Sequence, residues 1–165
     1  MNLVDRVKNI LITPKTEWEV IKNEQSSTAD LFTKFAMILA IIPVLATFIG
    51  QSVIGISLGP FGSYKIPITN GLIYAVIYYI LSLAGVYLVA FIIDALAPSF
   101  GSTKNMDASL KVAVYSYTAA WIAGIFGAIP VLAILGIAGL YSLYLMYLGL
   151  KIVKDTPPDK LVGYL

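Results

Sequence analysis

Long stretches without any charged residue constrain this chain more than any other feature of its sequence. Residues 35–58 contain no Asp, Glu, Lys or Arg, and a second apolar run over residues 68–97 contains one carboxylate, near its end. About 20 consecutive apolar residues suffice for a helix to cross the hydrocarbon core of a bilayer. Because the apolar residues are continuous and do not follow the period of an amphipathic helix or strand, lipid is the predicted solvent.

Composition supports the same conclusion. Hydrophobic residues make up 59% of the chain and charged residues 12%, whereas soluble domains average about 45–50% apolar and about 25% charged residues. A water-soluble domain of this size could not bury that much apolar surface. The sequence therefore predicts an all-α fold, a polytopic bundle of transmembrane helices.

Four apolar runs, separated by turn-forming or polar segments, predict four spans at residues 35–58, 68–97, 112–128 and 131–150. The second run would form a helix of about 45 Å, longer than the bilayer core of about 30 Å. Five spans are the alternative, if that helix breaks near Gly85. The predicted organisation is an amphipathic, interfacial segment at 1–30, a bundle at 31–150 and a tail at 151–165.

The positive charges give this arrangement a direction, because Lys and Arg are retained on the cytoplasmic side of a membrane. With four spans and a cytoplasmic N-terminus, the C-terminus is cytoplasmic too, and of the eleven Lys and Arg residues only Lys65 lies outside. The other ten are Arg6, Lys8, Lys15, Lys22, Lys34, Lys104, Lys111, Lys151, Lys154 and Lys160. The net charge of +2 and the lack of a basic run argue against nucleic acid as a partner.

Residues 2–12 have the pattern of an amphipathic helix. One face would carry five apolar residues, Leu3, Val4, Val7, Ile10 and Leu11. Such a helix could lie in the membrane interface with Arg6 and Lys8 near the lipid headgroups, or it could pack against the protein's own loops. A short second helix, extending to about residue 23, would place Trp18 as an interface anchor.

Several polar side chains fall within the predicted spans. Thr47 and Gln51 share one face of the first span, and Tyr78, Tyr115 and Tyr117 lie in the second and third. A buried tyrosine hydroxyl needs an acceptor such as a helix carbonyl or the Gln51 side chain. These groups predict hydrogen bonds between helices or, as the alternative, a polar pathway for a small solute or ion.

Asp94 is the only charged residue of the second apolar run. A carboxylate within a span is a functional-site hypothesis by default. If Asp94 lies one turn beyond the hydrocarbon core, Lys104 or Lys111 could pair with it at the headgroup level. The alternative is a proton or cation relay.

Small residues recur every fourth position in the third span and predict close helix packing. That packing could occur within one chain or between the copies of a homo-oligomer. The two ladders are Ala119, Ala123 and Gly127, and beside them Ala120, Gly124 and Ala128.

Catalytic and cofactor chemistry has little support in this sequence. The chain has no cysteine and no histidine, which removes the commonest metal ligands, the commonest general base and the thiol nucleophile. No nucleotide-binding, metalloprotease or serine-hydrolase motif occurs, and no carboxylates cluster. We therefore expect no catalytic residues, no bound metal and no cofactor.

Four stretches together resemble prokaryotic members of the Yip family. They are NLVDRVKNIL at residues 2–11, TPKTEW at 13–18, IDALAP at 93–98 and YSYT at 115–118. Eukaryotic members are polytopic Golgi and endoplasmic-reticulum proteins, described with five spans, that act in vesicle trafficking and bind Rab-type GTPases through their cytoplasmic portions. The resemblance implies a cytoplasmic N-terminal segment followed by a helical bundle in a prokaryotic cytoplasmic membrane, and it carries no catalytic residues.

The sequence thus predicts a non-enzymatic, multi-pass membrane protein that organises the membrane or serves as a trafficking-type adaptor or scaffold. Its expected partners are the lipid bilayer and an unidentified membrane or cytoplasmic protein. The alternative function is a small transporter or channel subunit, for which a polar cavity should continue between the first, second and fourth spans.

Overall fold

The computed structural model describes residues 2–57, 60 and 62–165. Helices dominate this part of the chain and confirm the predicted all-α bundle. The α-helices are α1 (Leu3–Ile12), α2 (Pro14–Asn23), α3 (Thr28–Leu31), α4 (Met37–Phe48), α5 (Ile68–Leu96), α6 (Met106–Ser116), α7 (Thr118–Ala123), α8 (Tyr141–Ile152) and α9 (Leu161–Tyr164).

Segments of 3-10 helix and π-helix extend several of these α-helices. The chain is π-helical at Phe32–Ala36 and Ile49–Ile54, and it forms 3-10 helix at Ala97–Phe100, Gly124–Ala128 and Pro130–Leu140. Two short strands, β1 (Ile56–Ser57) and β2 (Ser63–Tyr64), pair in antiparallel fashion. The turn predicted between the first two spans lies at this hairpin, although its Gly59 and Phe61, like Leu58, lie outside the described residues.

Within the described residues, three helical segments are long and apolar enough to cross a membrane: Thr28–Ile54, Ile68–Phe100 and Pro130–Ile152. The predicted third span is divided into α6, α7 and the 3-10 segment Gly124–Ala128. Because these pieces follow one another between the second and fourth passes, the described chain runs back and forth through the bundle four times.

The bundle has two chemically different ends. The charged end contains α1, α2, the start of α6, the connection at 97–105 and residues 151–165. The apolar end contains the described residues of 49–57 and 62–71, together with 124–131. An ion pair of 2.6 Å between Lys22 and Asp155 shows that the first and last parts of the described chain meet at the charged end.

The first pass ends at Ile54, earlier than predicted. Gly55 has a φ of +93°, a conformation that costs glycine little and other residues much. Its amide still bonds to the carbonyl of Gly50, after which the chain leaves the helix and enters β1. With a ψ of 160°, Gly55 is outside the helical regions, so the helix ends there.

The second pass does not break at Gly85. Helix α5 continues through that residue over all 29 positions from Ile68 to Leu96, a length of about 43 Å. It ends at the charged end, where Gly101, with a φ of +74°, redirects the chain. The four-pass arrangement is therefore the one observed.

Helix α6 is the centre of the charged end. Eight consecutive residues, Ser109–Ser116, are buried among α3, α5, α8 and the N-terminal helices. The apolar face of α1 packs on this core through buried Ile10 and the partly buried Leu3, Val7 and Leu11. The apolar face of α1 thus packs against its own protein, as one of the two predicted arrangements requires.

Trp18 lies in the same core. Its side chain is 0% exposed, meets the ring of Tyr115 edge-on at 6.3 Å, and lies opposite Gly149 of α8. A Cβ atom at Gly149 would stand 2.9 Å from the Trp18 ring, so the glycine makes room for the indole. The prediction of Trp18 as an interface anchor is wrong, because the structure makes it a core residue.

Candidate functional site

Helices α1, α2 and α5 all end at the charged end. The last four carbonyls of any helix have no hydrogen-bond partner within that helix, and burying them unpaired is costly. In this structure, side chains from α6, α8 and α9 supply the missing donors. The candidate site is the resulting network of buried polar contacts.

Carbonyls at the C-terminal ends of α1 and α2 accept hydrogen bonds from side chains that are far away in sequence. The hydroxyl of Tyr141 donates to the carbonyl of Leu11 at 3.2 Å. The ammonium group of Lys111 donates to the carbonyls of Ile21, at 3.0 Å, and of Glu24. A cation at the C-terminal end of α2 is also favoured by the helix dipole. Burial lowers the pKa of Lys111, and the negative charge of Glu24 acts in the opposite direction.

A side chain of α9 likewise donates a hydrogen bond to a carbonyl near the C-terminal end of α5. The Tyr164 hydroxyl donates to the carbonyl of Ile93, and its ring stacks on Phe100 at 4.8 Å. Burial raises the pKa of Tyr164 to about 12, with a smaller contribution from the charge of Asp94. The segment predicted as a polar tail is therefore packed against the bundle.

A buried ionic cluster joins α1 to α2. The Arg6 guanidinium donates to a carboxylate oxygen of Glu17 at 2.6 Å and to one of Glu24. Arg6 also lies over the ring of Tyr115, 5.4 Å from its centroid. Arg6 and Glu17 are each about 95% buried, so the pair is removed from the solvent screening that weakens surface ion pairs.

Asp94 joins three parts of the charged end. One carboxylate oxygen accepts hydrogen bonds from the Asn105 amide at 2.7 Å and the Ser109 hydroxyl at 3.3 Å, and lies 3.8 Å from the ammonium nitrogen of Lys154. Lys154 therefore takes the place predicted for Lys104 or Lys111. Burial lowers the pKa of Lys154, while the charge of Asp94 raises it.

The structure divides the polar candidates of the spans into two groups. Thr47, Gln51 and Tyr78 line one cavity near the apolar end. Tyr115 and Tyr117 are elsewhere: Tyr115 packs on Phe35, with ring centroids 4.8 Å apart, and Tyr117 packs on Trp121, with centroids 5.8 Å apart. Asp94, at the charged end, is not part of this cavity either.

One further tyrosine joins two passes directly. The hydroxyl of Tyr79 in α5 donates to the carbonyl of Met37 in the first pass at 3.0 Å. This is the bond to a helix carbonyl that a deep tyrosine requires.

The small residues of the third pass contact other parts of the same chain. A Cβ atom at Gly124 would come within 2.5 Å of Pro43, and one at Gly50 would come within 2.2 Å of the Gly127 carbonyl oxygen and 3.3 Å of that of Ala128. Gly139 of the fourth pass contacts a different part of the third pass. Its neighbours there are Ala120 and Ala123, while Ala119 is buried as well.

Sequence reasoning missed several members of the network at the charged end: Glu17, Lys154 and Tyr164 were not singled out, and Arg6 was considered for contact with lipid headgroups. Their partners are 11 to 71 residues away in sequence, so no local pattern joins them. In the described part of the chain, no group of three or more Asp, Glu, His or Cys residues is arranged to hold a metal ion.

Comparison with known proteins identifies the family. The family model of the Yip1 domain matches residues 8–165, nearly the whole chain. The chain belongs to the Yip1 domain family. Together with the three membrane-length helices, this makes the Yip1 domain protein described here an integral membrane protein.

Two curated relatives of this Yip1 domain protein are the proteins named inner membrane protein YohC in Escherichia coli strains K12 and O6:H1 (CFT073). Each is 28% identical over 117 residues, which cover 71% of this chain and 60% of the relative. The match thus spans about 60% of the length of these relatives. No solved structure gives a significant match to this Yip1 domain protein.

Proposed function

We propose that this chain is a non-enzymatic membrane scaffold or adaptor of the cytoplasmic membrane, whose charged end is a rigid surface for a protein or lipid partner. The observation that carries the proposal is the network at the charged end. Side chains of Lys111, Tyr141 and Tyr164 bond the free carbonyls of three helices. A surface held in place by buried contacts pays little ordering entropy when a partner binds.

The same end also exposes groups suited to such contacts. Apolar Val4, Ile12 and Val162 are each more than two-thirds exposed, and Lys8 and Lys15 are exposed beside them in sequence. Apolar side chains interspersed with cations are typical of surfaces that contact anionic lipid headgroups. Partner contact is thus assigned to the outer faces of α1 and α9.

The proposed orientation places the charged end in the cytoplasm. Ten of the eleven Lys and Arg residues precede the first pass, lie in the connection between the second and third, or lie close to the ends of the passes at that end, which is the bias that governs insertion. Single cysteines at Lys8, Lys65 and Lys151 can be introduced into this cysteine-free chain at exposed positions. Impermeant maleimide should label positions 8 and 151 from one side and position 65 from the other; labelling of all three from one side would contradict the orientation.

The function itself can be tested in proteoliposomes of phosphatidylethanolamine and phosphatidylglycerol that contain the full chain. Vesicle size and shape are measured by cryo-electron microscopy, and ion leakage is measured in the same preparation with an entrapped dye. A scaffold should change the vesicle shape with protein density and leave leakage at the level of protein-free vesicles. Unchanged shapes would contradict the proposal.

Two variants connect that result to the charged end. Arg6→Met removes the cation that joins α1 to α2 and should abolish the effect on vesicle shape. Asp155→Asn removes only one exposed partner of Lys22 and should retain the effect. If folded Arg6→Met retains the effect as well, the charged end is not the organising surface.

A small transporter or channel subunit is the second candidate, favoured by the cavity that contains Thr47, Gln51 and Tyr78. Asp94 weighs against it, because its carboxylate is bonded at the opposite end of α5. Ion leakage that rises with protein density and falls in a Gln51→Leu variant would favour this candidate.

A further inference from the structure

A cavity lies between the first two passes, near the apolar end. Its volume is about 280 Å³. The lining residues come from α4, the π-helical segment that follows it, the connection before α5, and the N-terminal half of α5. They are Val44, Thr47, Phe48, Gln51, Ser52, Ile66, Gly71, Tyr74, Ala75 and Tyr78.

Most of the lining surface is apolar, and the polar side chains in it are uncharged. These include the Gln51 amide and the hydroxyls of Thr47, Ser52, Tyr74 and Tyr78. All five can donate hydrogen bonds to an oxygen atom. None of the ten described lining residues is charged, and burying an unpaired charge among them would be very costly. A matching ligand is therefore neutral and carries oxygen acceptors.

Lys65 lies near the cavity, but its ammonium group binds a backbone carbonyl outside it. Its ammonium group donates to the carbonyl of Val53 at 2.6 Å, and its aliphatic part packs against Gly55. The lysine side chain is outside the lining of the cavity. It therefore supplies no counter-charge for a phosphate within the cavity.

Ser52 provides a second and independent indication of a ligand. Its side chain is 6% exposed, and its buried hydroxyl oxygen has no hydrogen-bond partner among the described residues. The neighbouring residue is Gly71, where a Cβ atom would stand 2.0 Å from that oxygen. An unsatisfied buried hydroxyl costs free energy, and rotation of the Ser52 side chain to another staggered rotamer would let an oxygen of a bound ligand satisfy it.

Size and access indicate which part of a ligand fits. Binding pockets for whole drug-sized molecules range from about 300 to about 1,000 Å³, so this cavity holds a head group and not a long tail. Tyr74 and Tyr78 are exposed on the outer surface of α5, in a segment that is apolar enough to lie in lipid. The cavity is therefore open sideways, toward the surrounding acyl chains.

We propose that this cavity binds the uncharged, oxygen-bearing head of a membrane lipid, such as the glycerol and ester groups of a diacylglycerol, while the acyl tails stay in the bilayer. The Gln51 amide, the Ser52 hydroxyl and the Thr47 hydroxyl donate to its oxygens. This inference is independent of the scaffold function, because its residues are not part of the charged end.

The test is photolabelling of the full chain in phosphatidylcholine nanodiscs. The probes are a diacylglycerol, a short-chain quinone and a phosphatidylglycerol, each with a diazirine and each at the same mole fraction. Mass spectrometry should place diacylglycerol adducts in residues 44–52 and 71–78 at about fivefold the level of phosphatidylglycerol adducts, equivalent to about 1 kcal/mol. A quinone signal at the same residues would identify a carbonyl lipid of that kind as the source of the head. Equal labelling by the neutral and the anionic probes would overturn the proposal.

Matched variants separate a built site from ordinary contact with lipid. Ala75→Leu fills the cavity and should reduce diacylglycerol adducts to the phosphatidylglycerol level. Ala84→Leu adds the same volume at an exposed position of the same helix, outside the cavity, and should leave labelling unchanged. Gln51→Leu removes the amide at nearly constant size, so it serves if Ala75→Leu fails to fold. Undiminished labelling in folded Gln51→Leu and Ala75→Leu would refute the site.

Discussion

The two ends of the bundle differ in how they are held. At the charged end, α6 buries eight consecutive residues. At the apolar end, none of the described residues in the 3-10 segments Gly124–Ala128 and Pro130–Leu140 is buried. The first segment nevertheless contacts the first pass closely, through glycines that allow backbone atoms to approach. One end is thus held by buried polar bonds, and the other by backbone contacts.

Solvent explains the difference. In an apolar 18-residue stretch of each membrane-length helix, the share of buried residues is 39% in the first helix, 17% in the second and 11% in the last. Acyl chains solvate exposed apolar side chains, so hydrophobic burial provides little drive for association within lipid and close van der Waals packing must provide it. The charged end lacks that apolar solvent, and its helix ends need hydrogen-bond donors.

Of the substitutions considered, removal of the Arg6 cation should lower the free energy of unfolding most. Arg6→Met leaves the carboxylate of Glu17 buried without its 2.6 Å partner, which costs about 3–5 kcal/mol in comparable buried pairs. Denaturant unfolding in detergent, followed by the fluorescence of the two buried tryptophans, Trp18 and Trp121, measures the loss.

The double variant Arg6→Met, Glu17→Met is the control for this measurement. It replaces both members of the pair with apolar side chains and should recover much of the stability, because no buried charge remains at either position. A loss below about 1 kcal/mol in Arg6→Met would mean that the pair contributes no more than a surface ion pair.

Glycine substitutions address the apolar end. Gly50→Ala would place a Cβ atom 2.2 Å from the Gly127 carbonyl oxygen, and overpacking of this kind costs about 1–3 kcal/mol. Gly136→Ala has no atom within 4 Å of the new Cβ and should change stability by less than about 0.5 kcal/mol. Thermal unfolding of both variants in the same detergent compares them; equal shifts would show that the first and third passes are not in close contact.

The packing of α9 should depend on pH. The pKa of Tyr164 rises from an unfolded value of about 10 to about 12 in the folded chain. The folded state therefore binds more protons in that range, and the contribution of Tyr164 to stability is complete below pH 10 and declines as the pH rises to 12. Protease sensitivity of residues 153–165 should increase over this interval.

Tyr164→Phe is the comparison for that titration. The variant loses the bond to the Ile93 carbonyl, at a cost of about 1 kcal/mol, and should be more sensitive at every pH. Its sensitivity should lack the specific rise between pH 10 and 12. An identical rise in both proteins would assign the transition to another group.

The smallest effect is expected at the surface of the charged end. Lys22 and Asp155 form an exposed ion pair, and such pairs contribute about 0–1 kcal/mol and weaken in salt. Asp155 has a φ of +49°, which asparagine also tolerates, so Asp155→Asn tests the charge alone. Unfolding at low and at high ionic strength should give a difference that vanishes in salt; a loss comparable to that of Arg6→Met would erase the distinction between buried and exposed pairs.

The sequence was sufficient to predict the membrane bundle, because uncharged runs report directly on the solvent. It was insufficient for residues whose role depends on distant partners. Tryptophan is a residue type typical of interface anchors. Trp18 nevertheless packs opposite Gly149, 131 residues later in the chain, and is therefore a core residue. Asp94 was recognised as unusual, but its partner Lys154 lies 60 positions away.

The cavity was partly predictable. Thr47 and Gln51 share a helical face, and that face is indeed on the cavity. The contribution of Ser52 could not be read from the sequence, because it depends on the π-helical turns of Ile49–Ile54 and on the absence of a side chain at Gly71.

The bonding of the N-terminal helix ends has a consequence for biosynthesis. Translation produces α1 and α2 first, but their terminal carbonyls are bonded by Lys111 and Tyr141, which are made much later. A nascent chain truncated before residue 111 should leave these two helices open to protease, and a chain that extends past residue 152 should protect them. The earliest part of this protein to be synthesised is thus among the last to reach its final place.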